Sequence, residues 1–337
     1  MTTKSVLNDS SKVAGREMSY RDALNQALRE EMRRDPNVFL IGEDIARFGG
    51  PMKVTGELLS EFGEERVVDT PLAEAGFVAL SVGAALTGLR PVVEVMFNDF
   101  MLLAMDQIVN QAAKAHYMFG GKARVPLVIR THIGAGRGMA AQHSQSLEML
   151  FVHIPGLVVI MPSTPYDAKG LLKSAIRSDN PVIFYENKLI YSSKGFVPQE
   201  EYTFPIGVAD VKRLGRDVTI ISTSRMTLFA LSAAQKLAEE GIDVEIVDPL
   251  TLKPLDMDTI LRSVKKTKRV VIVNEGCRTG GFTSELAARI MDEAFEYLDA
   301  PIQRVASEDI PVPYSKRLEA ETIPQEKDII QAVKQLL

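Results

Sequence analysis

The chain has 337 residues, more than one ordinary core accommodates, so about two domains are expected. Hydrophobic residues at 46% and charged residues at 25% place it among globular proteins, and a net charge of −5 gives no electrostatic reason for a nucleic-acid or anionic-membrane partner. The single cysteine, Cys277, excludes an intrachain disulfide framework and fits a reducing compartment, and no apolar run is long enough to span a bilayer.

Residues 1–17, MTTKSVLNDSSKVAGRE, are polar and lack the apolar core of a secretory signal. Their Ser, Lys and Arg would suit a short organelle transit peptide, but Asp9 and the shortness argue against one. A disordered lead-in is expected. From Tyr20 to about Arg34 apolar residues recur at helical spacing, and VFLI (38–41) reads as a buried strand. A loop with Gly49, Gly50 and Pro51 leads to a short strand, VVD (67–69), and a helix over Pro71–Leu86 that Gly88 ends. PVVEVMF (91–97) reads as a strand, Phe100 to Tyr117 as one long helix stopped at Gly120–Gly121, and VPLVIR (125–130) as a strand. LVVIMPS (157–163), a helix from Pro165 to Arg177 and PVIFYE (181–186) complete a first α/β domain over 18–191.

Residues 192–216 have weak periodicity with several Pro, Gly and charged residues and are expected to be a linker. A second alternation follows over 217–337: the strand DVTIIST, a helix over Thr227–Glu240, the strand DVEIVDP, a helix (256–264), the strand RVVIVNE, a helix (281–297) and the strand PIQRVAS. Strands separated by helices of this length imply parallel sheets covered on both faces, so the fold class is α/β with two doubly wound domains.

Three segments carry candidate chemistry. In DTPLAEAGFVALSVGAALTGLRP, Asp69 or Thr70 can cap the helix, and Glu74 shares a face with Phe77, Val78, Ser81, Val82 and Ala85. A carboxylate buried on such a face needs a partner, and burial would favour its protonated form. The alternative is an exposed Glu74 that only favours the helix dipole. In VPLVIRTHIGAGRGMAAQHSQS a strand runs into glycines at 134, 136 and 138, then into an expected helix with His143 near its start. Such a loop lets backbone N–H groups approach a ligand. Met139 stands where a dinucleotide fingerprint needs its third glycine, which argues against a nicotinamide cofactor. Gln142, Ser144 and Gln145 can fix the tautomer of His143; a capping or core histidine is the alternative, and His132 in the same segment is a weaker candidate. In FNDFMLLAMDQIVNQAAKAHYMFGG, Phe100 at a strand-to-helix junction can stack on a heterocycle or pack in the core. No Gly-Asp-Gly followed by a distant Asn and no Walker-type loop is present, so the chain shows no obvious means of holding a diphosphate with its magnesium ion.

DTPLAEAGF, VGAALTGLRPVVEVMF, MDQIVNQAAK, AAQHSQS and DAKGLLKSAIRSDNPVIFYE closely resemble, in order and spacing, the β subunits of the thiamine diphosphate-dependent decarboxylating components of 2-oxoacid dehydrogenase complexes. The resemblance runs from about Tyr20 to the C-terminus. It implies a pyrimidine-binding domain of the transketolase-like superfamily followed by a transketolase C-terminal-like domain. It further implies that Glu74 is the cofactor-activating glutamate on the aminopyrimidine N1′, that Phe100 stacks on the pyrimidine, and that Leu72 and Met96 are apolar cofactor contacts. His143 matches the active-site histidine near the substrate carbonyl and the entering lipoyl group. Backbone carbonyls near Leu127, Ala175, Ser178 and Asn180 correspond to a monovalent-cation (K+) site of some relatives, although Ser178 replaces an acidic residue common there.

The missing diphosphate motif then has an explanation: a separate α subunit holds the diphosphate and Mg2+. The expected assembly is an α2β2 heterotetramer docked on a lipoyl-bearing acyltransferase core, with this chain inactive alone. Pyruvate is the substrate expected first, with acetoin as the alternative and branched-chain 2-oxoacids a more distant one. The bacterial cytoplasm is the expected location, the mitochondrial matrix the alternative. A self-sufficient transketolase-like enzyme is disfavoured by the length and the absent motif. A non-catalytic scaffold would need neither Glu74 nor His143.

Overall fold

The computed structural model describes residues 14–337, which form two compact units. The first comprises Ala14–Ile133 and Leu150–Ile206, the second Gly134–Met149 and Gly207–Leu337. The segment 134–149, which the sequence reading ran through 18–191, thus groups with the second unit.

In the first unit, β1 (Gly15–Ser19) precedes α1 (Tyr20–Arg34), β2 (Val38–Gly42), α2 (Leu58–Phe62), β3 (Val67–Asp69), α3 (Glu74–Leu86), β4 (Arg90–Val95), α4 (Ala113–Met118) and β5 (Val128–Ile133). After α5 (Glu148–Val152) come β6 (Val158–Ile160), α6 (Pro165–Arg177), β7 (Val182–Asn187) and β8 (Lys194–Pro198). Strands β6-β7-β5-β4-β2-β3 lie side by side in that order, all parallel. Their runs of Val, Ile, Leu and Phe are buried, as a sheet covered on both faces requires. Ser19 caps α1 by accepting from the Asp22 N–H at 3.1 Å, and a Thr164–Asp167 capping box with Pro165 starts α6. These two helices pack together, with buried Lys169 and Lys173 bonded to Glu30 and Arg177 to buried Glu31.

Three expectations change here. Residues 1–13 of the expected lead-in lie outside the described residues, but Gly15–Glu17 belong to β1, which pairs antiparallel with β8 inside the expected linker 192–216. β1 was illegible because only Met18 of its five residues is buried. The single helix expected over Phe100–Tyr117 is a 3-10 turn (Asn98–Ala104), a π-helical turn (Gln107–Ala112) and then α4. Asn98 and Asp99 are buried, and the Asn98 amide donates to the Asp99 carboxylate at 3.0 Å.

The second unit contains β9 (Asp210–Arg213), the other strand within the expected linker, then β10 (Val218–Ser222), α7 (Arg225–Glu239), β11 (Val244–Asp248), β12 (Thr251–Lys253), α8 (Met257–Thr267) and β13 (Val270–Cys277). It ends with α9 (Phe282–Ala294), β14 (Gln303–Ser307), α10 (Lys316–Thr322) and α11 (Glu326–Lys334). The sheet order is β14-β13-β10-β11-β9, parallel except for the β9 edge. Apolar faces of α7 and α11 bury Met226, Ala230, Leu237, Ile329 and Val333 against Val218, Ile220, Val271 and Val273.

Candidate functional site

A doubly wound sheet opens a crevice at the carboxyl ends of the two strands where its winding reverses. In the first unit the chain goes from β2 outward to β3, then returns to the other flank of β2 as β4, so the reversal lies between β2 and β4. Gly42 at the end of β2 stands opposite Glu94, and a Cβ there would lie 2.5 Å from the Glu94 carbonyl oxygen. Only glycine permits that approach. The next residue, Glu43, is 5% exposed and accepts from the Ala73 backbone N–H, while its Oε1 is buried without a partner. Burial, and then the charges of Glu74 and Asp44, push its pKa up to about 7. Asp44 adopts φ +56°, in the left-handed region that side chains other than glycine rarely occupy.

Glu74 is the first residue of α3 and is half-buried. The face it heads is the inner one: Phe77, Val78, Ser81, Val82 and Ala85 are all buried. The expected caps do not form. Ala73 occupies the capping position with no side-chain bond, and the Asp69 carboxylate accepts from the N–H groups of Ala46 (2.6 Å) and Arg47 (3.3 Å). Glu43 and Glu74 are therefore two carboxyl groups close enough to repel, one held at the end of a strand and the other at the start of a helix. Proximity of this kind lets one of them keep a proton near neutral pH. Sequence reading missed Glu43; the signal was an acidic residue immediately after a buried strand.

Across the crevice, Met96 and Phe100 follow β4 and are both half-buried. Phe100 meets Phe97 edge-on, with centroids 6.0 Å apart, and α3 packs against the turn that carries it. The Met96 carbonyl is hydrogen-bonded to Nδ1 of His132, whose ring also lies edge-on to Phe97 and Tyr191. His132 is in β5 and fully buried, and burial pulls its pKa down to about 4, so it is neutral at pH 7 and holds backbone instead of moving protons. Beneath it Arg130, 1% exposed, joins Glu94 (2.7 Å) and Glu186 (2.7 and 2.8 Å), and Tyr191 donates to Glu186 at 2.5 Å. This network fixes the carboxyl ends of β4, β5 and β7. The first unit thus brings Glu74, Met96 and Phe100 to one edge. Leu72 stands on the same approach to α3 but is 81% exposed, with no core around it.

His143 belongs to the second unit, half-buried at the end of a 3-10 turn (Ala141–His143) instead of near the start of the expected helix. The glycine-rich loop before it does not present its N–H groups to a ligand. Ala135 donates to Glu275 Oε1 (2.7 Å), and Gly136 and Gly138 donate to Glu319 Oε1 and Oε2 (2.7 and 2.8 Å). The carbonyls considered for K+ are already engaged as well. Leu127 O accepts from Val182 N, Ala175 O from Ser178 N, and Ser178 O from the Arg90 guanidinium, while Asn180 is exposed. Arg90 donates to the Ile176 and Ser178 carbonyls, both at 3.0 Å, so of these four positions Ser178 O faces a fixed cation. Among the described residues no group of three or more His, Cys, Asp and Glu is arranged to hold a metal.

The transketolase pyrimidine-binding domain matches residues 16–194, and the transketolase C-terminal domain matches residues 207–329. The chain is 47% identical to the β subunit of acetoin:2,6-dichlorophenolindophenol oxidoreductase of Bacillus subtilis, over 96% of this chain and 98% of that one. It is 50% identical to the pyruvate dehydrogenase E1 component β subunit of Chaetosphaeridium globosum, over 94% and 97%, and 47% identical to the mitochondrial β-1 subunit of Arabidopsis thaliana, over 95% and 89%. Among solved structures it is similar in fold to a split-gene transketolase described as an inactive β4 tetramer, with TM-score 0.78 at 23% identity, covering 95% of this chain and 98% of that chain.

Proposed function

The chain belongs to the family of E1 β subunits of pyruvate and acetoin dehydrogenases, oxidoreductase subunits built from transketolase-type domains, and from that premise we propose that it supplies the pyrimidine half of a thiamine diphosphate site completed by an α subunit. The observation that carries this reading is the acid pair at the winding reversal: Glu43, pushed up to about 7, beside Glu74, with Met96 and Phe100 on the facing strand end. These residues fit an aminopyrimidine, which needs a carboxyl group at a ring nitrogen and an apolar or aromatic surface against its face.

Bound there, the cofactor supplies the electron sink for the carbanion left when a 2-oxoacid loses CO2. Glu74 would face the pyrimidine N1′, Phe100 and Met96 would fix the plane of the ring, and Glu43, pushed up to about 7 by burial and then by Glu74 and Asp44, would hold the proton of the acid pair. His143 orients the substrate carbonyl and moves a proton during transfer to lipoamide. The α subunit brings the diphosphate and Mg2+ contacts, and the β subunit docks on a lipoyl-bearing acyltransferase core in a reducing compartment, which we take to be the bacterial cytoplasm. Pyruvate is the substrate we favour. Acetoin is the second reading, favoured by the Bacillus subtilis relative; there the bond broken joins the two oxygenated carbons.

Co-expression with the α partner tests this. Turnover of 2-oxoacids and acetoin is followed with and without thiamine diphosphate and Mg2+, with 2,6-dichlorophenolindophenol as acceptor. Activity is expected only from the mixture and only with cofactor, and the accepted substrate names the reaction. Full activity of this chain alone would overturn the half-site reading.

A further inference from the structure

The second unit has its own winding reversal, between β10 and β13, because the chain moves from β10 to β11 on one flank and then to β13 on the other. At the carboxyl ends of these strands stand Arg225 and Glu275, where such a sheet ordinarily receives a ligand. Here the chain's own glycine loop occupies that place. Glu275 is 4% exposed, takes the Ala135 N–H at 2.7 Å and keeps Arg225 Nη1 at 3.6 Å as counter-charge. From α10, the 1% exposed carboxylate of Glu319 spans the tip of the loop, one oxygen on Gly136 and the other on Gly138. Gly136 and Gly138 adopt φ of +105° and +67°, a backbone course that turns their N–H groups toward one anion and that other residues rarely follow. At its root the loop is closed by Gly134 N–H donating to Gln145 O at 3.2 Å. His143 lies two residues before that closure. Root, flank and tip are all tied, and His143 lies on the chain between the tip and the root closure.

We propose that Glu319 and Glu275 are positioning residues: two buried carboxylates that seat the loop in the crevice of the second sheet and so set where His143 stands for acyl transfer. The role in acyl transfer rests on the function proposed above; the seat itself does not. A carboxylate accepts both tip N–H bonds, whereas an amide accepts one and sets its own NH2 against the other.

The test uses the assembled α/β complex carrying Glu319→Gln, Glu319→Asp or Glu275→Gln. Amide hydrogen exchange over residues 134–147 is read beside kcat with a lipoyl domain and the Kd for thiamine diphosphate. For Glu319→Gln we expect exchange at the tip amides faster by about tenfold or more. We expect kcat lower by about 10- to 100-fold, with cofactor Kd unchanged, because Glu74, Met96 and Phe100 belong to the first unit. Glu319→Asp, which keeps both acceptors, recovers most of each loss, and Glu275→Gln repeats the pattern at Ala135. Unchanged exchange overturns the seat. Faster exchange with unchanged kcat overturns the positioning role, as does a loss of cofactor affinity and chain-wide protection equal to the loss of kcat. A wild-type complex that turns over none of the substrates sinks the functional reading instead, and the exchange comparison still decides the seat.

Discussion

Replacing Glu43 by Gln removes the titrating member of the acid pair while keeping its shape and an acceptor for the Ala73 N–H. In the folded chain burial first, and then Glu74 and Asp44, push Glu43 from 4.5 up to about 7; in the unfolded chain it titrates near its ordinary value. Between the two values the folded state holds a proton that the unfolded state has lost. Stability therefore falls as pH rises through 4.5–7 and levels off above about 7. The full gap corresponds to roughly 3 kcal/mol at about 1.4 kcal/mol per pH unit. Solvent reaches the half-buried Glu74 and screens the repulsion, which leaves about 2 kcal/mol as the working magnitude. Neutral His132, held near 4 by burial, acts in the opposite sense: its folded form resists protonation, so its contribution is full above 6.5 and is lost as pH falls toward 4. That term is common to both proteins and cancels in their difference. In urea titrations of the chain, Glu43→Gln minus wild type should rise by about 2 kcal/mol from pH 4.5 to pH 8, with the variant more stable at pH 8. A difference that stays constant or falls with pH refutes the assignment of Glu43 as the proton-holding carboxyl.

Four further outcomes follow from the same geometry. Arg130→Met leaves Glu94 and Glu186 buried without their cation, and urea unfolding should register a loss of about 3–5 kcal/mol. Leu72→Ala changes a side chain that is 81% exposed, so chain stability stays within about 0.5 kcal/mol while the cofactor Kd of the α/β complex rises several-fold, as titration calorimetry would read. Exchanging K+ for Na+ leaves melting temperature and turnover unchanged, because Arg90 already supplies the cation at Ser178. His143→Ala keeps cofactor affinity but loses about 100-fold or more in turnover of the assembled enzyme; retained turnover would remove His143 from the mechanism.

The α/β alternation was legible because hydrophobic periodicity is a local property: VFLI, PVVEVMF and RVVIVNE each declare a strand within a few residues. The face of α3 was legible for the same reason, since its five inward residues follow helical spacing. Polar contacts made across long separations were not. Glu43 meets Glu74 only because β3 returns the chain beside β2, and nothing in the two local sequences records that. Glu275 reaches Ala135 across 140 residues and Glu319 reaches Gly136 across 183, so the glycine loop read as a ligand cradle although its N–H groups already had acceptors. β1 and β8 bury little and exist mainly as each other's partner, which no single-segment pattern reveals.

The two winding reversals carry the same chemistry to opposite ends. In the first unit the carboxylates at the crevice repel each other, and Glu43 Oε1 is buried with no donor from the chain. Burial of this kind costs free energy unless a partner arrives, so this crevice is built to gain from an incoming donor such as an aminopyrimidine. In the second unit Glu275 and Glu319 accept loop N–H groups, and Arg225 stands 3.6 Å from Glu275 as counter-charge. An incoming anion there would have to displace two buried carboxylates, and an incoming donor would have to compete with bonds already made. The loop N–H groups at the second crevice thus already have their acceptors, whereas Glu43 Oε1 at the first has no donor from the chain. Under the function proposed above, the first crevice takes the pyrimidine, the second seats the loop that carries His143, and the diphosphate contacts come from the α subunit.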